Sequence, residues 1–229
     1  MAGNDDAMND TETETDRGNG TPGAENHPNR RHLTIPDFER MALPERYWDT
    51  TWKRVFDFEG KALIEAYLRK LSTHSLPEGL GLFLWGPPST GKTSIASIIA
   101  KEVARRGGKA LFQNTSEYME LRGLEYDEEE SLEHRAKTVD LMVLDEVDFR
   151  LMTVVDRREL GELIRVRLDH RKSTILTTND PGANLETICG KEFVAMVKGT
   201  IIPVRVEGFD FREEERERVE KALLEAEGK

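Results

Sequence analysis

Apolar residues in this chain alternate between two spacings. In short, nearly unbroken runs they sit side by side: Leu82-Phe83-Leu84-Trp85, Lys109-Ala110-Leu111-Phe112-Gln113, Val139-Asp140-Leu141-Met142-Val143-Leu144, Ser173-Thr174-Ile175-Leu176-Thr177-Thr178 and Thr200-Ile201-Ile202-Pro203-Val204-Arg205-Val206. Runs of this length read as strands, and near-continuous apolarity reads as burial on both faces. Between them, apolar residues recur every three or four positions. Lys61 to Ser72 places Leu63, Ile64, Tyr67, Leu68 and Leu71 on one helical face, and Asp156 to Arg171 turns Leu160, Leu163, Ile164 and Leu168 inward with Arg158 and Arg165 opposite. Ser94 to Ala100, Ser116 to Lys137 and Leu185 to Lys198 complete the helical set. Strands alternating with helices predict a three-layer α/β sandwich on a five-stranded parallel sheet with right-handed crossovers. Pro203 removes one ladder donor, which places the last strand at an edge.

The N-terminal stretch breaks this pattern. Residues 1–29 are rich in Asn, Asp, Thr, Glu and Gly with almost no large apolar side chain, so they are expected to stay disordered as an acidic tail. Residues 30–58 form an aromatic and basic lead-in, 59–212 the α/β core, and 213–229 a charged C-terminal helix. The net charge of -11 over 229 residues is carried largely by the ends, with -6 in residues 1–26 and -3 in residues 208–229. An acidic chain whose core is nearly neutral does not exclude a nucleic-acid partner. No apolar run reaches the ~18 residues of a membrane span and residues 1–29 lack the basic and apolar blocks of a signal peptide, so a cytoplasmic protein without a membrane partner is expected. Cys189 stands alone, which excludes an internal disulfide and a cysteine-cluster zinc site. The five histidines, His27, His32, His74, His134 and His170, show no ligand spacing. Tyr47, Trp48 and Trp52 in the lead-in are expected to pack on the core rather than stack on bases.

The candidate chemistry lies where strands end. Gly86-Pro87-Pro88-Ser89-Thr90-Gly91-Lys92-Thr93 fits G-x-x-x-x-G-K-[ST] between a strand and a helix. Glycines there let backbone N–H groups close on phosphate oxygens at a helix N-terminus. Lys92 would reach the β/γ-phosphates, and the Thr93 hydroxyl would bind Mg²⁺, so ATP and Mg²⁺ are the expected cofactors. The third run ends in Asp145-Glu146. Asp145 suits the shell of Mg²⁺ and Glu146 suits a base for water attacking the γ-phosphate, which favours hydrolysis over transfer to a metabolite. Asn179 ends the next strand before Asp180-Pro181-Gly182 and is the third strand-end polar group, placed to hydrogen-bond water and γ-phosphate.

This order resembles an AAA+ ATPase. Leu43-Pro44-Glu45-Arg46-Tyr47 before the core and Glu207-Gly208-Phe209-Asp210-Phe211-Arg212 after it are similar to flanking motifs of the DnaC/IstB-like family. The resemblance covers Leu43 to Arg212. It implies ATP and Mg²⁺, a truncated or absent lid, a ring or spiral homo-oligomer, and single-stranded or duplex DNA as partner. It also implies nucleotide-phosphate roles for Lys92, Thr93, Asp145, Glu146 and Asn179, and it matches Arg212 to the arginine of the family's closing motif. The leading function under it is loading or remodelling a replicative helicase on DNA; the alternatives are selecting target DNA for a transposase and acting as a nucleotide-switched scaffold without DNA. Departures from the pattern bear on that choice. Met196 stands where the family's arginine finger is expected, with Lys191 or Lys198, or Arg158 or Arg165, as substitutes. Ser116 to His134, which lines a DNA path in helicase loaders, is acidic here, so any DNA contact falls to Lys53, Arg54, Arg69, Lys70, Arg105, Arg106 or the arginine-rich helix.

Overall fold

The computed structural model describes residues 22, 31–72, 78–122, 131–179, 186, 190–208, 216 and 219–221, with the side chains of 72, 192, 193 and 196 left aside. Five strands, β1 (Gly81–Trp85), β2 (Ala110–Asn114), β3 (Leu141–Asp145), β4 (Ser173–Thr178) and β5 (Ile201–Arg205), form one sheet in the order β2-β3-β4-β1-β5. Every pairing is parallel. β5 pairs only with β1, so Pro203 does lie on an edge strand.

Period-2 alternation sorts the strand side chains between two cores. Leu82 and Leu84 of β1, Ala110 and Phe112 of β2, Leu141 and Val143 of β3 and Ile175 of β4 join one cluster with helices α1 (Ile35–Arg40, through Phe38), α2 (Lys61–Ser72) and α3 (Lys92–Arg105). Phe83, Leu111, Met142, Leu144 and Leu176 point the other way, onto α4 (Thr115–Leu121), α5 (Leu132–Thr138), α6 (Val154–Asp169) and α7 (Lys191–Val197). The result is the expected three-layer sandwich. Within α2, Ile64, Tyr67 and Leu68 are buried, whereas Leu63 is exposed: the buried stripe is narrower than periodicity alone indicated.

Three expectations need correction. The single helix over 116–137 is two, α4 and α5, each with its own polar N-cap: Asn114 accepts from the N–H groups of Ser116 and Glu117, and Ser131 accepts from that of His134. The acidic run 125–130 lies outside the described residues. Arg105 and Arg106 are not open to a DNA partner, because both side chains are turned inward onto Glu102 of their own helix. The arginine-rich helix is likewise committed in part. Arg165 pairs with Glu162 and Asp169, while Arg167 is fully buried.

Arg167 joins three elements. Its guanidinium donates to Thr174 Oγ1 (3.0 Å), to the carbonyl of Ala136 (2.5 Å) and to that of Ser173 (2.6 Å), tying α6 to the end of α5 and the start of β4. Burial pulls its pKa down to about 10, so it remains charged at neutral pH. An ammonium cannot span three acceptors set around a planar fork. Arg167→Met is expected to lower unfolding free energy by roughly 2–4 kcal/mol, since buried carbonyls lose charge-assisted partners while one desolvation cost is relieved. Arg167→Lys should recover less than half of the loss in urea denaturation.

Candidate nucleotide site

The site forms where β1, β3 and β4 end side by side. After Trp85 the chain enters Gly86 at φ 144°, and a Cβ there would stand 2.1 Å from the carbonyl oxygen of Val206. Only glycine lets the loop leave β1 that close to the chain leaving β5. Pro87 and Pro88 are exposed at the loop's crest, Ser89 takes a left-handed φ of 64°, and the Thr90 hydroxyl donates to the Pro87 carbonyl (3.0 Å). Gly91, at φ 89°, is the left-handed N-cap of α3. It offers no side-chain cap, so the first N–H groups of a 14-residue helix face the loop.

Lys92 folds back over this loop. Its Nζ donates to the carbonyl of Gly86 (3.0 Å), to that of Pro87, and to Thr90 Oγ1 (3.2 Å). These are neutral acceptors that a phosphate oxygen can replace. Burial lowers its pKa to about 8 from 10.5, with Asp145 and Glu146 pulling it back up. Thr93 lies one residue further, its hydroxyl donating to Asp145 Oδ1 at 3.0 Å.

Asp145 is buried, and burial raises its pKa even though Thr177 Oγ1 (2.6 Å) and Thr93 Oγ1 both donate to it. The backbone fixes the same corner. Thr115 Oγ1 donates to the Asp145 carbonyl (2.9 Å), the Glu146 N–H donates to Thr177 Oγ1 (2.9 Å), and the Val147 N–H donates to the Thr177 carbonyl (2.8 Å). Thr177 thus grips both acids from β4. Glu146 itself takes a left-handed φ of 56°, which aims its exposed side chain off the end of the sheet.

Two hard oxygens, one hydroxyl and one carboxylate, at this spacing fit Mg²⁺, which takes few protein ligands and completes its octahedron with phosphate and water. Among the described residues no cluster of three or more His, Cys, Asp or Glu offers an all-protein cage, and Mg²⁺ does not require one. Thr93 and Asp145 would hold it. Asn179 follows Thr178, the residue paired with Trp85, and is exposed at the same end of the sheet. Arg212 lies outside the described residues, as does the Met196 side chain.

Two features were not found by sequence reasoning. Asn114, the last residue of β2, donates from Nδ2 to Glu146 Oε2 (3.1 Å) while its Oδ1 caps α4. The available signal was a polar strand-end residue followed by Thr-Ser-Glu, an N-cap pattern. The second feature is a cleft beside the glycine loop, lined by Thr50, Thr51, Arg54, Val55, Phe56 and Phe58 of the lead-in against the start of α3. Its aromatic and aliphatic wall suits a flat base. The lead-in aromatics do pack on the core, as expected: Trp52 is buried, and Trp48 stacks on Phe38 with centroids 5.1 Å apart.

The lowered Lys92 pKa has a defined linkage. A lysine depressed by folding costs stability wherever it is charged in both states, below about pH 8, and that cost fades as pH rises through about 8 toward 10.5. Phosphates favour the charged form, so binding should draw in a proton. Without Mg²⁺, affinity for ATP is expected to fall between pH 8 and 9 by up to about tenfold, with calorimetric enthalpies that depend on the buffer's ionisation heat. Lys92→Arg should bind with no such dependence over this window.

A model of the family described as IstB-like ATP binding protein matches residues 52–197, more than half of the chain. An ATP-binding protein in an insertion sequence of Mycobacterium tuberculosis is 35% identical over 128 residues, covering 54% of this chain and 51% of that protein. The chain therefore spans about half the length of that relative. Among solved structures, the DnaC helicase loader superposes with a TM-score of 0.61 at 21% identity, over 72% of this chain and 100% of the other. The replication initiator DnaA bound to AMPPCP and single-stranded DNA gives 0.55 at 20% identity, over 73% and 51%. These two likenesses establish a shared AAA+-type P-loop fold. With its glycine loop, paired acids and sheet order all inside or beside the matched span, this chain belongs to the IstB-like ATP-binding family.

Proposed function

We propose that this protein is a Mg²⁺-dependent ATPase whose ATP-bound form acts on DNA in concert with a transposase. The observation that carries the ATPase reading is the Thr93–Asp145 contact of 3.0 Å, with Glu146 next in the chain and aimed off the sheet end. Lys92 would exchange its loop carbonyls for phosphate oxygens, the loop N–H groups would hold the β-phosphate, and Glu146 would take a proton from the attacking water. Mg²⁺ would neutralise charge on the phosphates. Asn179 would orient the water from β4. Asn114 Nδ2 donates to Glu146 Oε2 and would help to orient the base.

The partner reading rests on kinship. The Mycobacterium tuberculosis relative belongs to an insertion sequence, which favours a transposase and target DNA over a replicative helicase. The likeness to the DnaC helicase loader supports the fold and leaves its partner aside. Lys53, Arg54, Arg69 and Lys70 are exposed and are the basic residues we assign to DNA backbone contact. A transposase would then meet a protein whose DNA affinity falls steeply with salt.

Nucleotide binding and hydrolysis should separate by mutation. Lys92→Ala is expected to abolish ATP binding, whereas Glu146→Gln should bind within about threefold of the parent and lose hydrolysis by about 10²–10⁴, the usual worth of a general base. Parental turnover in Glu146→Gln would remove Glu146 from its role. The same variant with ATP should retain DNA in a salt-dependent manner. If it retains no DNA at low salt, the DNA-linked reading fails and a nucleotide-switched scaffold remains.

ATP is also expected to drive self-association through a neighbour that completes the site, measured by light scattering with and without Mg²⁺-ATP. Met196→Arg on α7 should raise turnover only at concentrations where association occurs.

A further inference from the structure

Buried threonine hydroxyls hold the corner where β3 gives way to the loop after it. Thr115, the first residue of α4, donates to the Asp145 carbonyl (2.9 Å), and Thr178, the last residue of β4, donates to the Val147 carbonyl (2.7 Å). Both contacts fix backbone. Thr177 reaches further. Its Oγ1 donates to Asp145 Oδ1 (2.6 Å) and accepts from the Glu146 N–H (2.9 Å), while its carbonyl accepts from the Val147 N–H (2.8 Å). The residue is 1% exposed, so this hydroxyl is sealed from solvent.

A hydroxyl has one proton to give. With that proton committed to Asp145 and a lone pair committed to the Glu146 N–H, the Thr177 oxygen constrains two acids at once. On Asp145, Oδ1 takes both hydroxyl donors, Thr177 and Thr93 (3.0 Å). The carboxylate's rotation is thereby set, and among the described residues neither hydroxyl reaches Oδ2, the oxygen left for a cation. On Glu146, the φ of 56° is a left-handed conformation that a non-glycine residue keeps only when its surroundings impose it. The two N–H bonds to Thr177, from Glu146 and from Val147, impose it here.

We propose that Thr177 is a positioning residue for both acids together: one hydroxyl on β4 sets the rotation of the Asp145 carboxylate and the backbone turn that aims Glu146. This rests on the Mg²⁺-ATPase reading above and adds to it a residue outside the glycine loop and the acid pair. Metal affinity and turnover then depend on the same buried oxygen. Neither dependence requires Thr177 to touch the nucleotide.

Two comparisons isolate the hydroxyl: parent against Thr177→Val, and Thr177→Ser against Thr177→Ala, so a fold that tolerates only one pair still answers. Each protein is titrated with a fluorescent ATP analogue in Mg²⁺ and again in EDTA, and its turnover is measured. Thr177→Val and Thr177→Ala are expected to bind within about twofold of the parent in EDTA, where Lys92 and the loop amides act without metal. They should lose about three- to tenfold of the affinity that Mg²⁺ adds, and kcat should fall about ten- to a hundredfold, as for a catalytic group displaced by about 1 Å. Thr177→Ser should keep both near parental values. Thr115→Val takes a buried hydroxyl off the Asp145 carbonyl and leaves both carboxylates alone, so its kcat should fall by less than about threefold with the Mg²⁺ gain retained. An unchanged Mg²⁺ gain or an unchanged kcat in Thr177→Val and Thr177→Ala would overturn the proposal. So would equal affinity losses with and without Mg²⁺, or a loss in Thr115→Val as large as in Thr177→Val, since either marks a structural role only. A parent that gains no affinity from Mg²⁺ and does not hydrolyse ATP removes the Mg²⁺-ATPase reading, and this inference with it, on the parental measurements alone.

Discussion

The buried Asp145 carboxylate is the contact on which the site is organised. It receives hydroxyl donors from α3 through Thr93 and from β4 through Thr177, while the backbone around it is bonded to Thr115 and again to Thr177. Four elements therefore meet at one acid. Its raised pKa means that the ionised form is held at some cost to folding above the ordinary carboxylate range, a cost that fades as pH falls. A divalent cation at that point would relieve the cost, which is why a strained acid here is consistent with a binding role rather than a packing accident.

Elsewhere, buried cations do structural work. Arg167 ties one helical layer to the sheet through three acceptors, and Lys101 ties the lead-in to the opposite layer through three carbonyls. Lys101 lies on α3, which begins at the glycine loop, and Arg167 on α6, the helix that follows β3. The two layers are thus registered to the sheet by polar contacts, which are directional, over apolar packing, which is not. Such fastening suits a site whose working distances are set across several elements.

Membership in the IstB-like ATP-binding family accounts for the common core and leaves the partner to the surface. Several arginines that look available in one dimension are turned inward or paired, and Arg69 on α2 itself pairs with Glu65, while Lys53 and Arg54 of the lead-in are exposed. Lys53 and Arg54 place part of the proposed DNA contact on the same segment as the cleft beside the glycine loop. No helix among the described residues is long and apolar enough to cross a membrane.

The sequence by itself determined what depends on local spacing. Strand runs, helix periodicity, the glycine loop and the Asp145-Glu146 pair were legible because each is written in consecutive residues whose geometry follows from backbone periods of 2 and 3.6. Pro203 at an edge strand was legible for the same reason. Tertiary structure decided what depends on distance across the chain. Arg105, Arg106 and Arg167 carry the composition of surface residues, and only the fold buries them. Leu63 fits the apolar stripe of α2, but among the described residues it stays exposed. Asn114 reaches Glu146 because β2 and β3 are adjacent and in register, Asn114 opposite Asp145. The Tyr47 turn lies against α3 because Lys101, 54 residues from Tyr47 in sequence, donates to its carbonyl. Side-chain chemistry names what each residue can do; the pairing of distant strands and one buried ammonium decide what it does it to.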